Sequence, residues 1–577
     1  MTAPSLTLPR KRGRERTERA ASAPATGRAE ANASCRRLLP PPLAGEGWGG
    51  GEIGTVGHWL RTVTAALALF AVLATAAPAQ TLRVAPHSDL KVVDPIWTSA
   101  LISVNHGYMV YDTLFALDDE LAVQPQMVDR YETSADRLTW TFTLRDGLAW
   151  HDGAPVTAED CVASLKRWGA RDTMGQKLMS YVADLAAPDP KTIRMTLKEP
   201  YGLVLQTLAK PGANVPFMMP KRVAATDPNT QISDFTGSGP FIFKRDEWRP
   251  GEKVVYVKNP NYRPRDEPAS GLAGGKRAKV ERVEWLWIAD PQTQVDALIK
   301  GEVDLIEQPP HDLLPLLAAD PNIVLKVTNA PGRQIAFRFN VLHKPFDNAK
   351  ARQAVAYAFN QKDFLASIIG DPQWYRECKS LFPCGSPLES TKGWDDKLGS
   401  DFAAARRLLQ EAGYDGTPVV LMQSTDIVAL SNLAPVAKSL MEKAGFTVDL
   451  QAMDWQTLVS RRTKKDPPSA GGWHAFLTSW ASVDILDPVA TGFLNASCDK
   501  AMFGWPCDGE LERLRDAFAK ATDPARQKAI AEAVQLRAAE YPTHIFLGQY
   551  VQPVAMRKNV TGLLTGPSIA YWNIEVR

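Results

Sequence analysis

Residues 480–488 gather side chains suited to holding a small charged solute. Trp480 offers a flat aromatic wall, Ser482 a hydroxyl, and Asp484 and Asp487 two carboxylates. A carboxylate pairs with an ammonium through charge-assisted hydrogen bonds, and an indole face stacks on or covers a ligand. The stretch follows a strand expected over 474–478, and open α/β sheets bind ligands beyond the carboxyl ends of their strands. Both aspartates also suit turn caps, Asp487 especially, because Pro488 follows it. Trp374 and Tyr375, after Gly370-Asp371-Pro372, are candidates for the opposite wall, with plain packing as their other role.

Catalytic chemistry is harder to assemble. The chain has no G-x-S-x-G, no H-E-x-x-H and no evident Cys/His pairing. Its eight histidines are scattered singly, which argues against binding a bare transition metal. We therefore expect no catalytic residues, no cofactor and no metal. Gly237-x-Gly239 lacks the third glycine and following helix of a dinucleotide loop. The run 271–276 is one residue short of a phosphate loop, and Arg277 stands where Ser or Thr is required. Residues 461–472, RRTKKDPPSAGG, carry four basic side chains without interleaved aromatics and read as a solvated loop, not a nucleic-acid patch.

The chain is 577 residues long, 45% apolar and 23% charged, enough for two or more lobes. The first 79 residues hold ten Lys/Arg against five Asp/Glu, so the remainder has 56 basic and 59 acidic side chains, a net charge of −3. That balance gives no reason to expect nucleic acid as a partner.

Residues 1–57 are rich in Arg, Pro, Gly and Ala without apolar periodicity, and read as a non-native or disordered extension upstream of the true start. Residues 58–79 resemble a signal peptide: Arg61, an apolar run over 63–74, then Ala77-Pro78-Ala79 as the cleavage site and Gln80 as the mature start. A membrane anchor is the alternative, but the run falls short of the ~20 apolar residues a span needs. No cysteine lies near the cleavage site, so no lipid anchor is expected. Of six cysteines, Cys161 sits alone on a predicted helix and reads as buried. Cys378/Cys384 and Cys498/Cys507 are close pairs that suit two local disulfides in an exported chain, with a zinc site as the alternative.

The elements that would position these residues follow from periodicity. Trp140, Phe142 and Leu144 alternate with threonines, a half-buried strand, and Thr157 with Asp160 forms a capping box before a helix. Ala351, Ala354, Val355, Ala358 and Phe359 share a helix face behind Asn348 or Asp347. Strands over 419–422 and 446–450 flank a helix over 433–443, a βαβ crossover that implies parallel pairing in a layered α/β lobe.

Several segments resemble the peptide/opine/nickel group of extracellular solute-binding proteins, the soluble receptors of ABC importers. Trp150-His151-Asp152-Gly153-Ala154-Pro155-Val156-Thr157-Ala158-Glu159-Asp160 matches its F-x-D/N-G-x-P-x-T-A-x-D signature. Asp94-Pro95 with Tyr111-Asp112-Thr113-Leu114, Gly237–Phe241 with Asn259-Pro260-Asn261-Tyr262, and Ala297–Asp304 are similar to further family segments in the same order. So are Asn340 with Lys344-Pro345-Phe346-Asp347 and Arg352-Gln353-Ala354, and Trp480 with Asp487-Pro488. In dipeptide-binding members an aspartate of this last segment holds the ligand's α-amino group. Asp484 is the matching residue, four positions after Trp480 where the family pattern has three.

The resemblance implies an α/β, two-lobed periplasmic-binding-protein fold with a subdomain inserted in the first lobe. Lobe I would comprise 80–116, 236–329 and 544–577, the inserted subdomain 117–235, and lobe II 330–543. The protein would be a periplasmic, monomeric, non-enzymatic receptor that delivers a peptide-like or amine-bearing solute to a permease and ATPase in other chains. An opine, glutathione-like or nickel-chelate receptor of the same fold is the alternative, and a secreted hydrolase is the competitor from another class. His151, inside the signature, reads as structural.

Overall fold

Two central sheets are built from strands that lie far apart in the sequence. The computed structural model describes residues 80–577. The expected extension 1–57 and signal segment 58–79 lie outside the described residues. Among the described residues no helix is long and apolar enough to cross a membrane.

The first sheet has seven strands, in the order Ile323–Val327, Pro553–Arg557, Leu305–Ile306, Thr81–Ala85, Arg282–Leu286, Lys253–Lys258 and Phe241–Phe243. Thr81–Ala85 runs parallel to both its neighbours, and the other pairs are antiparallel. The second has six, in the order Tyr375–Arg376, His544–Tyr550, Arg333–Phe339, Ala475–Ala481, Val419–Ser424 and Val448–Met453. Val419–Ser424 and Val448–Met453 are parallel, joined by the expected helix Leu433–Lys443. A third, antiparallel sheet of four strands, Val128–Thr133, Thr139–Leu144, Thr192–Leu197 and Val182–Asp189, lies within 117–235.

One expected boundary moves. The family pattern places 544–577 in the first lobe, yet His544–Tyr550 hydrogen-bonds into the six-stranded sheet beside Arg333–Phe339. Its buried, mostly apolar residues fill an inner position there, and the chain returns to the seven-stranded sheet only at Pro553. The chain therefore crosses between the two large sheets at 328–332 and again at 551–552.

The signature segments converge on one joint. Gly237 and Gly239 lie against the end of helix Leu101–Val110, where a Cβ on Gly237 would stand 1.8 Å from the Val110 carbonyl oxygen. His151 accepts from the Gly237 amide through Nδ1, and its Nε2 lies 3.2 Å from the Gly239 carbonyl oxygen; burial holds its pKa down at about 4. Tyr262 donates to Asp112 (2.8 Å), and the fully buried Lys276 pairs with the same carboxylate at 2.7 Å. Thr157 and Asp160 form the predicted capping box at the start of helix Ala158–Arg171. Further along that helix, Arg167 forms a buried, two-pronged pair with Asp94 at 2.7 and 3.2 Å. Asp94 also accepts from the amides of Ile96, Trp97 and Ile232, so one carboxylate ties the segment before helix Leu101–Val110 to helix Ala158–Arg171 and to Ile232.

Both disulfides, Cys378–Cys384 and Cys498–Cys507, are formed, and Cys161 is free and buried. Closing such short loops contributes about 2–3 kcal/mol each.

Replacing Asp94 leaves Arg167 charged and unpaired in the interior. Asp94→Ala is therefore expected to cost about 3–5 kcal/mol, read from urea unfolding. A loss below about 1 kcal/mol would contradict this account.

Candidate functional site

Between the two large sheets lies a cavity with about 750 Å³ of free space, part of it open to solvent. Its second-sheet wall comes from the carboxyl end of Ala475–Ala481 and from the turn after it. Thr478, Ser479, Trp480 and Ala481 line it, and so does Asp484. A 3₁₀ turn, Ser482–Ile485, follows the strand directly. At three residues per turn it brings position 484 back to the side that Ala481 faces. The opposite wall includes Ser99, Gly212 and Ala213.

Asp484 is 6% exposed, and its Oδ1 has no hydrogen-bond partner. Burial pushes its pKa up to about 6; Lys210 and Arg333 oppose that rise and Asp172 adds to it. Lys210 is itself committed, to Asp172 and to the Ala213 carbonyl oxygen at 2.9 Å. The carboxylate sits directly against Gly212, where a Cβ would lie 2.4 Å from Oδ2. The loop carrying Gly212 is held by Tyr108, which donates to the Pro211 carbonyl oxygen, and by Trp168, which donates to that of Asn214. Ala213 and Asn214 both have positive φ, a conformation L-residues adopt at a cost where the surroundings enforce it. Ala213 packs in a small apolar cluster with Trp480, Ile485 and Phe493 that joins the loop to the second sheet.

Two arginines line the same cavity. Arg333 donates to the Ser479 hydroxyl (3.1 Å) and carbonyl oxygen (3.0 Å). Arg462, 5% exposed, donates to the Ser99 hydroxyl at 3.1 Å and lies over the rings of Phe503 and Trp455. Neither forms an ion pair with a carboxylate among the described residues. His87 also lines the cavity, but its Nδ1 is bound to the buried Glu307 at 2.5 Å.

A sequence profile for the bacterial extracellular solute-binding proteins, family 5, matches residues 122–502. The chain belongs to this family. It is 39% identical over 491 residues to the probable peptide ABC transporter periplasmic-binding protein y4tO of Sinorhizobium fredii, covering 84% of this chain and 92% of that one. Among solved structures it is similar to the binding protein AgaA of A. tumefaciens R10 in complex with agropinic acid, with a TM-score of 0.73 at 23% identity, covering 86% and 99% of the two chains. It is also similar to a dipeptide-binding protein of Pseudoalteromonas sp. SM9913 in complex with Met-Leu, with a TM-score of 0.71 at 20% identity, covering 86% and 100%. These two likenesses establish the fold: the two-lobed, mixed α/β architecture of periplasmic binding proteins.

The six expected ligand contacts do not all meet at the cavity of this solute-binding protein. Trp480 and Asp484 line it together. Ser482 is fully buried on the far side of the 3₁₀ turn, where its hydroxyl accepts from Gln549 at 3.5 Å. Asp487 caps the next turn, accepting from the amides of Val489 (2.7 Å) and Ala490 (2.8 Å). Trp374 packs edge-on against His311, and its carbonyl oxygen accepts from Val551. Tyr375 lies in the edge strand Tyr375–Arg376, paired with Tyr550. Both aromatics thus brace the crossing at 551–552 and do not line the cavity. Arg462, at the end of helix Trp455–Arg461, corrects the expectation that 461–472 is simply solvated. Gly212, Arg333 and Arg462 carry no motif, so only the fold reveals them.

Two outcomes test this geometry. A methyl group on Gly212 must displace the carboxylate, so Gly212→Ala should weaken ligand binding about tenfold in calorimetric titration. A carboxyl whose folded-state pKa exceeds its unfolded value contributes stability at low pH that is lost as pH rises through the folded value. The ligand-free protein should therefore lose melting temperature as pH rises through about 6, and Asp484→Asn should remove that component.

Proposed function

We propose that this protein is the periplasmic receptor of an ABC importer for a peptide-like, amine-bearing solute, which it passes to a permease and ATPase in other chains. The observation that carries the reading is the Asp484 carboxylate, buried and unpartnered beside Trp480 in a cavity between two sheets. A buried carboxylate without a partner is costly, and an ammonium removes that cost by pairing with it. Trp480 covers the ligand from the side, its ring set by Phe493 at 4.2 Å. The similarity to y4tO, a probable peptide receptor, points to the same solute class.

On this reading the seven-stranded sheet is the core of the first lobe, residues 117–235 form a subdomain inserted in it, and the six-stranded sheet is the core of the second. The crossings at 328–332 and 551–552 act as the hinge. The segment 58–79 directs export, and the mature chain is a soluble monomer without a lipid anchor. The protein binds and does not turn over its ligand; His87, the imidazole at the cavity, is committed to Glu307 and not set beside a nucleophile.

Dipeptides should raise the melting temperature in a concentration-dependent way, with no product detected by mass spectrometry. Asp484→Ala should weaken their binding at least about tenfold. An unchanged affinity removes the carboxylate from the site, and product formation overturns the receptor reading.

A further inference from the structure

The cavity holds more positive charge than a simple zwitterionic peptide can match. Asp484 supplies one negative charge and meets an ammonium. Arg333 and Arg462 supply two positive charges, and a peptide's terminal carboxylate meets one of them. Glu307 does not line this cavity, and its carboxylate is held inside the protein by His87, Asn105 and Tyr571. One guanidinium is left over.

Arg462 is the more exacting of the two. It is buried, its Nε has no hydrogen-bond partner, and its one hydrogen bond goes to the neutral Ser99 hydroxyl. Burial pushes its pKa down to about 10. Arg338, also buried without a carboxylate, stands close enough that the two repel; it donates to the Phe503 carbonyl oxygen at 2.6 Å and lies over the face of Phe493, its Nε unpartnered, but it does not line the cavity. A third unpartnered polar atom, Ser568 Oγ, belongs to the same cavity lining. Asp484, Arg462 and Ser568 thus present an acceptor, a charged donor and a hydroxyl that the fold leaves unsatisfied. Such groups are retained where a ligand completes them.

The surroundings extend this positive character. Ser99 lines both this cavity and a second cleft with about 1360 Å³ of free space, part of it open to solvent, which Phe503 also lines. That cleft carries Arg171, Lys465 and Lys500 against the single carboxylate of Asp499, between the rings of Trp97, Phe503 and Trp505. Asp499 is paired with Lys465 at 2.8 Å, so Arg171 and Lys500 are left without an ion pair among the described residues.

We propose that Arg462 forms an anion subsite for a second carboxylate, beside Arg333 for the terminal one, so that the protein selects acidic peptides over neutral ones. The proposal rests on the amine-bearing reading above and adds the charge of the solute. A guanidinium suits this task because its planar donors match a carboxylate in two-pronged geometry. A neutral amide in the same place leaves the buried charge unpaired, which gives discrimination by penalty as well as by attraction.

Ala-Glu and Ala-Gln have the same shape and differ in one charge. The full mature chain, freed of bound ligand by unfolding and refolding, should bind Ala-Glu at least about tenfold more tightly in calorimetric titration. Arg462→Gln should bring the ratio within about twofold and Arg462→Lys should restore part of it, with melting curves confirming both variants folded. Equal affinities in the unaltered protein overturn the acidic preference and leave the receptor reading standing. A preference that survives Arg462→Gln overturns the assignment to Arg462. Binding of neither peptide overturns both this inference and the amine-bearing reading.

Discussion

A carboxylate removed from water without a partner costs several kcal/mol, and most of this structure's arrangement near its centre keeps one in that state. Asp484 is held there from two sides. The 3₁₀ turn Ser482–Ile485 presents it, and the loop carrying Gly212 closes against it with a glycine because nothing larger fits. Lys210, the nearest candidate for neutralising it, is bound instead to Asp172, which caps helix Thr173–Tyr181. The fold thus commits its own lysine elsewhere and leaves Asp484 to be matched from outside. Arg462 repeats the pattern with opposite sign, its guanidinium shielded by Phe503 and Trp455 but not paired.

The two large sheets that flank these charges are joined at two adjacent crossings. The chain passes between the two large sheets only at 328–332 and 551–552 once both sheets are under way, and these crossings lie side by side. Arg333 pairs with Tyr550, and Val327 pairs with Pro553. At Gly332, with φ +70°, a Cβ would meet the Tyr550 carbonyl oxygen at 2.4 Å, so only glycine lets the two crossings approach so closely. Trp374 and His311 brace the second crossing, which confines bending to a few bonds. A ligand that touches both walls favours the closed arrangement only by its extra contacts there. The cavity carries Asp484 and the arginines on one wall and the Ser99 and Gly212 segments on the other.

Much of the fold was legible because it rests on local rules. The capping box at Thr157 and Asp160 and the cap at Asn348 follow from side-chain chemistry within a few residues. The alternation of Trp140, Phe142 and Leu144 and the βαβ unit after Val419 follow from periodicity. The boundary at 544 was not legible, because His544–Tyr550 and Pro553–Arg557 are two apolar strands separated by two residues. That spacing reads as one hairpin, yet each strand joins a different sheet. The pairing that separates them is set by neighbours hundreds of residues away.

The site divides along the same line. That Trp480 and Asp484 face one cavity was legible because both lie on one short stretch behind a strand; the same reasoning drew in Ser482 and Asp487, which do not line it. Proximity in sequence does not fix facing: a 3₁₀ turn sends Ser482 to Gln549 and Asp484 to the cavity, two residues apart. The same turn explains why Asp484 tolerates standing four residues after Trp480. What places a carboxylate at the cavity is the side of the turn it occupies, and Ala481 and Asp484, one 3₁₀ turn apart, share that side. Arg462 was hidden by composition, since an Arg-Arg-Thr-Lys-Lys run averages to a solvated surface while one member of it turns inward. Long basic side chains bury or expose themselves one by one, according to what packs around each stem. A charge run therefore has to be read residue by residue once the fold is known.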